Sequence, residues 1–434
     1  MALSPILLIL FSLLNGCMKN NPNFQPKKYS SDVAVAWMKL NIRLSQITPN
    51  FNSVVTDRSM AYAGLTLYES ITIESNFNKL KIPALKNASA SGKFDKTIFW
   101  PASANAAMSV ITRDLFGDAT TAGLYSIDSL EGYFNEQFKS QANDKEIQGA
   151  ADYGRSVAAA IFELSKTDGG HEAYLHITDP TYIPPVGDGL WQPTPPLFGP
   201  PVFPHWGNNR TFVPDIADLT QPGPPVVYSA LLNSPFYNMV NELYTISLSL
   251  THEDSVIAKF WADIPGNLNV PAHATNILTQ LIELNHFELD KAALAYAKHG
   301  IAMYDASVSV FKTKYHYNLV RPITYIRGVM NHPNWNTVIP TPAHPEYTAA
   351  HAVISSASAE VMQAFLGENY HFTDHTYETV FGPRTFDSFD DYAMEAGISR
   401  LLGGIHYHPS ILKGLDQGRM IGKAVNNLDL NDLQ

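Results

Sequence analysis

The sequence predicts an all-α protein in which one long irregular segment separates two helical halves. Apolar side chains recur at helical spacing along most of the chain, alternating strand patterns are scarce, and glycine and proline cluster in one central stretch. Apolar residues make up 45% of the 434 residues and charged residues 16%, which is typical of a globular protein with a sizeable core. We expect about ten to fifteen helices.

The N-terminus has the features of an export signal. An apolar run over residues 6–14 is too short to span a membrane and suits the core of a signal peptide. The Leu-Asn-Gly-Cys sequence that ends at Cys17, the only cysteine, resembles a bacterial lipobox. We therefore expect a signal peptide over 1–16 and a lipidated tether over 17–30, with attachment to the membrane through the lipid anchor only. This predicts an exported lipoprotein of the cell envelope, in the periplasm or at the outer membrane; an ordinary secretory signal with an incidental Cys17 is the alternative.

Helical periodicity begins after the tether and defines an N-terminal half. One apolar face contains Trp37, Leu40, Leu44 and Ile47, and a second contains Tyr153, Val157, Ile161 and Leu164. Further helical stretches are predicted at 57–76, 101–116 and 121–141. Together with the irregular segment, this half is expected to cover residues 31–228.

The irregular segment lies at residues 168–226 and is rich in proline, as in Pro193-Thr-Pro-Pro196. Proline removes a backbone donor and interrupts helices. Long segments of this kind in compact proteins are usually functional or disordered. Because Trp191, His205 and Trp206 are large side chains suited to anchoring it, we expect an ordered wrap. Helical periodicity resumes near residue 229, as in the stripe Ile354, Ala357, Val361 and Phe365, and predicts a C-terminal half over 229–434.

The C-terminal half contains three clusters of polar residues. The formal net charge of −11 excludes a general nucleic-acid role, but a local basic pocket can still bind an anion. In the first cluster Lys314 and Arg321 are seven residues apart, so they could share a helix face, and Pro322 disfavours helical geometry at Arg321. A lysine and an arginine directed at one point would bind an oxyanion, although such a pair alone is usually just solvated.

The second cluster is Thr348-Ala349-Ala350-His351, where Thr348 is a plausible N-cap and the amides of the first turn form a possible anion site. In the third cluster, Gly403 and Gly404 are expected to end a helix that carries Arg400, and His406 follows. Each cluster alone is more often structural or solvated than functional.

In this order the clusters resemble the signature of the vanadium-dependent haloperoxidase and type-2 phosphatidic acid phosphatase superfamily. That signature is Lys, six residues, Arg-Pro; then Pro-Ser-Gly-His; then Ser-Arg, five residues, His, three residues, Asp. Both internal spacings match, and the sequences around Trp191, His205-Trp206-Gly207 and Phe260-Trp261 resemble the bacterial haloperoxidase-like branch. The resemblance covers about residues 31–425 and implies a large domain of two packed helical bundles.

The resemblance also implies a cofactor and roles for residues. His406 would be the vanadium ligand, and His351 the acid/base residue. Lys314, Arg321 and Arg400, with the loop at Ala349 and Ala350, would surround the oxygens of vanadate, for which phosphate competes. The substrates would be hydrogen peroxide and a halide. Two alternatives stay open: a phosphatase that hydrolyses a phosphate ester through phospho-His406, and a degenerate, non-enzymatic anion-binding protein. No oligomeric state is predicted.

Three positions depart from the signature. Ala349 replaces the serine, and the loss of its hydroxyl would cost roughly 1–3 kcal/mol of anion binding. Ala350 replaces the glycine, at a cost of about 1–2 kcal/mol if the backbone there needs a positive φ. Ser410 replaces the aspartate that orients the histidine, a loss that typically reduces affinity or activity about 10–100-fold.

Further candidates lie around these clusters. Asp263, in a Trp-x-Asp-x-Pro-Gly context, is a possible partner of Arg400. His344 lies seven residues before His351, where bromoperoxidase-like members can carry a histidine, and it favours bromide or iodide over chloride. Phe311 is a second candidate for the halide site. His344 could equally be an ordinary loop residue between two prolines.

Overall fold

The computed structural model describes residues 28–72, 98–264 and 266–428. Cys17, the predicted signal peptide and most of the predicted tether lie outside the described residues. No helix in the described part of the chain is both long and apolar enough to cross a membrane.

The described residues form fourteen α-helices and one small sheet, which confirms the all-α fold class. The helices of the first half and the irregular segment are α1 (Asp32–Ile47), α2 (Ser53–Glu69), α3 (Trp100–Leu115), α4 (Thr121–Phe138), α5 (Asp144–Ser165) and α6 (Ile216–Leu219). Those that follow are α7 (Pro235–Ser247), α8 (His252–Phe260), α9 (Val270–Leu284), α10 (Leu289–Tyr317), α11 (Pro322–Gly328), α12 (Ala350–Leu366), α13 (Phe389–Leu402) and α14 (His408–Asn426). Strands β1 (Phe372–Asp374) and β2 (Arg384–Phe386) pair antiparallel, with Phe372 opposite Phe386.

Local signals account for many of the helix starts. Helix α5 begins with a capping box in which the Asn143 side chain accepts from the Glu146 amide and the Glu146 carboxylate accepts from the Asn143 amide. Thr251 and Asp254 form the same motif at α8. These caps satisfy amides that would otherwise lack a partner in the first turn.

The long helix α10 lies at the centre of the fold and is buried along most of its length. It packs against α2 on one side and α12 on another. The contact with α2 is close because both helices carry glycine there: a Cβ on Gly64 would lie 2.6 Å from the Tyr296 carbonyl oxygen, and one on Gly300 the same distance from that of Met60. This packing fixes α10, whose C-terminal turn carries Lys314.

The proline-rich segment packs as an ordered, largely irregular wrap over the end of α10. Trp191 and Trp206 are buried, and the Trp191 amide donates to the Asn318 carbonyl over 2.7 Å. The expectation for His205 was wrong: it is exposed, and its ring contacts Asp179 at the surface. Further along the segment, the carbonyl of Gly223 accepts from the Tyr347 hydroxyl, so the wrap reaches the loop before α12.

Candidate active site

The five predicted site residues come from separate elements and are brought together in the C-terminal half. Lys314 lies in the last turn of α10, Arg321 between α10 and α11, His351 in the first turn of α12, Arg400 in the last turn of α13, and His406 in the loop before α14. The local predictions for two of these positions are confirmed. Arg321 has extended backbone (φ −77°, ψ 150°) before Pro322, and α13 ends at Leu402, followed by Gly403 and Gly404.

His406 is buried and held through its Nδ1 atom by a carboxylate. Glu346 Oε1 accepts from His406 Nδ1 (2.9 Å) and from the Tyr407 amide (3.0 Å). Arg321 Nη1 lies 3.2 Å from His406 Nε2 and can only donate, so the lone pair of His406 is at Nε2 and Nδ1 carries the proton. The first and third clusters therefore meet at His406 Nε2.

The prediction that Ser410 leaves His406 without an orienting carboxylate is wrong. Ser410 does replace an aspartate, but Glu346 supplies the carboxylate from the loop before α12, and Ser410 Oγ donates to its second oxygen, Oε2, over 2.7 Å. Glu346 was not identified as a site residue from the sequence. The available signal was that Glu346 is the one acidic residue in the loop that precedes His351.

Arg321 is fixed by several partners around His406. Its Nε donates to the His344 carbonyl (2.9 Å), Nη1 also to the Ile405 carbonyl (2.9 Å), and Nη2 to His344 Nδ1 (3.0 Å). His344 is itself buried, and its ring lies 5.3 Å from that of Phe311. His344 and Phe311, the two candidates for the halide site, therefore lie next to each other, and His344 contacts the Arg321 guanidinium.

Lys314 is fully buried and contacts the loop before α12. Its Nζ donates to the carbonyl oxygens of Pro345 (3.1 Å), Glu346 (3.0 Å) and Thr348 (2.5 Å). An ammonium group has three N–H donors, so these contacts use all of them.

Arg400 and His351 share one acceptor on the opposite side of the site. The carbonyl oxygen of Trp261 accepts from Arg400 Nη1 and from His351 Nε2, both over 2.8 Å. Arg400 Nε is buried and has no hydrogen-bond partner. Asp263 makes no direct ion pair with Arg400 among the described contacts, but its charge raises the pKa of Arg400 against the effect of burial, so the two interact at a distance. Asp263 lies instead 3.6 Å from His351 Nε2 and accepts from Ser53 Oγ over 2.5 Å.

Trp261 is held firmly in this position. Its indole N–H donates to Glu395 Oε1 (2.9 Å), and its ring stacks on His273 with centroids 4.7 Å apart. His273 in turn contacts Asp374 Oδ2 over 2.7 Å. This chain of contacts fixes the backbone carbonyl on which Arg400 and His351 depend.

The start of α12 differs from the expectation in two respects. Thr348 is not the N-cap: Ala349 takes that position, and the Thr348 hydroxyl donates to Gln417 on α14 over 2.9 Å. Ala350 is the first residue of the helix and does not have a positive φ, so the strain considered for alanine there does not arise. The Ala349 amide is already bonded to the Ser410 carbonyl (3.3 Å).

Burial strongly perturbs the ionisation of these groups. It lowers the pKa values of Arg321 and Arg400 to about 10. It also lowers the pKa of His406 well below its usual range, and the neighbouring charges of Arg321 and Lys314 add to the effect. The pKa of His351 is lowered by burial and by Arg400, with a partial offset from Asp263. The histidines are therefore neutral at neutral pH, and the region has an excess of buried positive charge that an anion would relieve.

Burial also raises the pKa of Glu346 and lowers that of Lys314, while each of these two charges partly offsets the shift of the other. The three donors on Glu346 stabilise its ionised form.

Comparisons with known proteins agree with this geometry. The sequence model of the VCPO second helical-bundle domain matches residues 295–431, which include all five site residues. A crystal structure described as the first bacterial vanadium-dependent iodoperoxidase is 30% identical, with a TM-score of 0.79, and the match covers 93% of this chain and 97% of that chain. No curated protein matches the chain significantly.

Two crystal structures of bacterial vanadium-dependent chloroperoxidase, in holo and apo form, have the same fold. They are 14% and 15% identical with TM-scores of 0.65 and 0.67, and the matches cover 92% of this chain and 98% and 97% of theirs. The chain belongs to the superfamily of vanadium-dependent haloperoxidases and type-2 phosphatidic acid phosphatases.

Proposed function

We propose that the protein is a vanadate-dependent haloperoxidase that uses hydrogen peroxide to oxidise a halide, with bromide or iodide preferred over chloride. The observation that carries this proposal is the state of His406. Its Nδ1 proton is bound by Glu346, so the lone pair is at Nε2, where it accepts from Arg321 Nη1 and where a metal atom in an oxyanion could take the place of that donor.

The residues present fit vanadate. Arg400 has a buried Nε without a partner, and a guanidinium group in this state is suited to an anion oxygen. His406 Nε2 would hold the vanadium atom, while Arg321 and Arg400 would balance the charge on the oxygens. When bound, vanadate would supply the Lewis acidity that makes hydrogen peroxide reactive toward a halide.

His351 can handle the proton of the reaction. Its Nε2 donates to the Trp261 carbonyl, so the lone pair is at Nδ1. Burial and Arg400 keep its pKa below the usual range, which makes Nδ1 a free acceptor at neutral pH. Asp263, 3.6 Å from the ring, would stabilise the imidazolium after the proton is taken. His351 would thus accept a proton from peroxide and return it to the product.

The halide preference rests on two observations. The 30% identical structure is described as an iodoperoxidase, and His344 and Phe311 lie together beside Arg321. A buried aromatic environment favours a large, weakly hydrated anion over chloride.

The test is oxidation of a phenolic dye by hydrogen peroxide with iodide, bromide or chloride, before and after loading with orthovanadate. We expect a vanadate-dependent rate with iodide and bromide and loss of that rate in His406→Gln. Hydrolysis of an aryl phosphate, with no halide oxidation after vanadate loading, would instead favour the phosphatase alternative through phospho-His406. Absence of both activities in protein that binds vanadate would leave the non-enzymatic alternative.

A further inference from the structure

Asp57 is a buried carboxyl group for which the described part of the chain provides no hydrogen-bond partner. It lies in α2, and its side chain is fully buried. An ionised carboxylate without partners is so costly in these surroundings that the group takes up a proton instead. Because both oxygens are also closed to solvent, a proton is the cation that can neutralise Asp57 without displacing its neighbours.

Helix α2 places Asp57 on the side of the site where Asp263 and His351 lie. Ser53 is one helical turn before Asp57, on the same face of α2, and its Oγ donates to Asp263 Oδ2 over 2.5 Å. The other oxygen of Asp263, Oδ1, lies 3.6 Å from His351 Nε2. Asp263 is therefore in contact with α2 through one oxygen and with His351 through the other.

The surroundings drive the ionisation of the two carboxyl groups in opposite directions. Burial raises the pKa of Asp57 well above its usual range, and the charge of Asp263 adds to the effect. Partial burial also raises the pKa of Asp263, whose side chain is 34% exposed, but the contacts with His351 and Ser53 outweigh it. Arg400 acts in the same direction and helps to keep this pKa below its usual value. Two neighbouring carboxyl groups with divided pKa values hold one proton and one negative charge between them.

Asp263 is the charged neighbour that acts on Asp57. In helices α1, α3 and α5, which pack against α2, no buried side chain is charged. The other buried charged groups nearby on α2, α9 and α10 are engaged elsewhere: Arg58 with Asp168, His273 with Asp374, Lys298 with the Asn426 carbonyl, His299 with Ser358, and Asp305 with the amides of Phe212 and Val213.

We infer that Asp57 and Asp263 act as a pair in the proposed reaction: Asp57 keeps a proton, so that Asp263 alone carries the negative charge that faces His351. Loss of the Asp57 proton would place a second negative charge behind Asp263. That charge would repel the halide and the oxyanion and hold a proton on His351 more tightly. Asp57 acts through Asp263 and is therefore a positioning residue. The inference rests on the proposed function, because it requires a reaction of anions beside His351.

The first test measures kcat/KM for iodide against pH in vanadate-loaded wild type and Asp57→Asn, since an amide cannot ionise. The fall in kcat/KM on the alkaline side should move to higher pH in the variant. One pH unit above the midpoint of the wild-type fall, Asp57→Asn should be about tenfold faster, because about nine in ten Asp57 groups are then ionised in the wild type.

Glu69→Gln is the matched control for this test. Glu69 is a second buried carboxyl group on α2, twelve residues further along the helix, and burial also raises its pKa. A purely structural effect of removing a buried acid from α2 would appear in both variants, so Glu69→Gln should keep the wild-type pH profile. An unchanged profile in Asp57→Asn, or the same displacement in Glu69→Gln, would overturn the inference.

The second test uses anion-free protein and needs neither activity nor the folding of Asp57→Asn. Asp263→Asn removes the charge that helps to raise the pKa of Asp57, so the assigned side-chain ¹³C NMR signal of Asp57 should titrate at lower pH in this variant than in the wild type. Equal titration in both proteins would refute the pair. Failure of the wild type to oxidise any halide after vanadate loading would refute the proposed function, and the titration of Asp57 would still decide whether the pair exists.

Discussion

Replacement of Ser410 by the aspartate of the family signature is expected to damage this protein rather than improve it. Ser410 Oγ donates to Glu346 Oε2 over 2.7 Å, and both side chains are buried. An aspartate at this position would remove the donor and place a second carboxylate beside the first. The site already has the carboxylate that the signature provides at position 410.

The magnitude follows from two contributions. Loss of a hydrogen bond to a charged acceptor costs roughly 1.5–3 kcal/mol. Two carboxylates about 4 Å apart repel each other by about 4 kcal/mol at an effective dielectric constant of 20. The free energy of unfolding of Ser410→Asp should therefore fall by at most about 5.5–7 kcal/mol at pH 8. Uptake of a proton by one carboxylate would relieve the repulsion and reduce this loss.

Urea unfolding at pH 8 and pH 5.5 measures this effect, with Ser410→Asn and Ser410→Ala as controls. The asparagine has the shape of aspartate without its charge and can donate to Glu346, so a loss within about 1 kcal/mol is expected; the alanine should lose about 1.5–3 kcal/mol. Ser410→Asp should be the least stable variant at pH 8, improve at pH 5.5, and be rescued by Glu346→Gln. Equal stability of the aspartate and asparagine variants at pH 8 would refute the reasoning.

Three further predictions concern single positions. Ala349→Ser should raise the orthovanadate affinity measured by calorimetry about tenfold. Because this residue is the N-cap of α12, the change should also raise the free energy of unfolding by roughly 1 kcal/mol. No gain in either quantity would contradict this prediction. Burial raises the pKa of Glu69 from 4.5 to about 7. Between these pH values the carboxyl loses its proton in the unfolded chain but keeps it in the folded protein, so the free energy of unfolding falls as pH rises. Glu69→Gln should therefore raise the free energy of unfolding by about 3 kcal/mol at pH 8 and little at pH 4.5, and an equal effect at both would rule out this origin. Trp261→Phe, which loses the bond to Glu395, should weaken orthovanadate binding about tenfold and lower the free energy of unfolding by roughly 1.5–3 kcal/mol. Unchanged affinity would show that the indole does not fix the carbonyl.

The parts of the fold that the sequence predicted correctly depend on neighbouring residues. The extended backbone at Arg321 follows from the effect of Pro322 on the preceding residue, whereas α10 itself ends at Tyr317, with Asn318 in the left-handed region as its C-cap. The end of α13 after Arg400 follows from Gly403 and Gly404, of which Gly404 has φ +78°. These signals act within a few residues, so they can be recognised without tertiary structure.

The parts that the sequence did not predict depend on contacts between distant elements. Thr348 had the local pattern of an N-cap, but Gln417 on α14 is a competing partner for its hydroxyl. Asp263 offsets the charge of Arg400 only at a distance, and the direct partner of the guanidinium is the Trp261 carbonyl, a backbone acceptor that no side-chain pattern encodes. Glu346 lies 60 residues before His406, a separation at which spacing has no predictive value.

These contacts lower the expected cost of two of the three departures from the family signature. Ala350 introduces no backbone strain, and the change at Ser410 is compensated by Glu346, so Ala349 is the one departure that still removes a donor from the site. The state of Arg400 also supports a functional anion site. A guanidinium group with a buried, unpaired Nε costs folding free energy, and a chain that no longer bound an anion would be more stable with a smaller neutral side chain there. Retention of this arginine, despite its cost, is what a functional anion site requires.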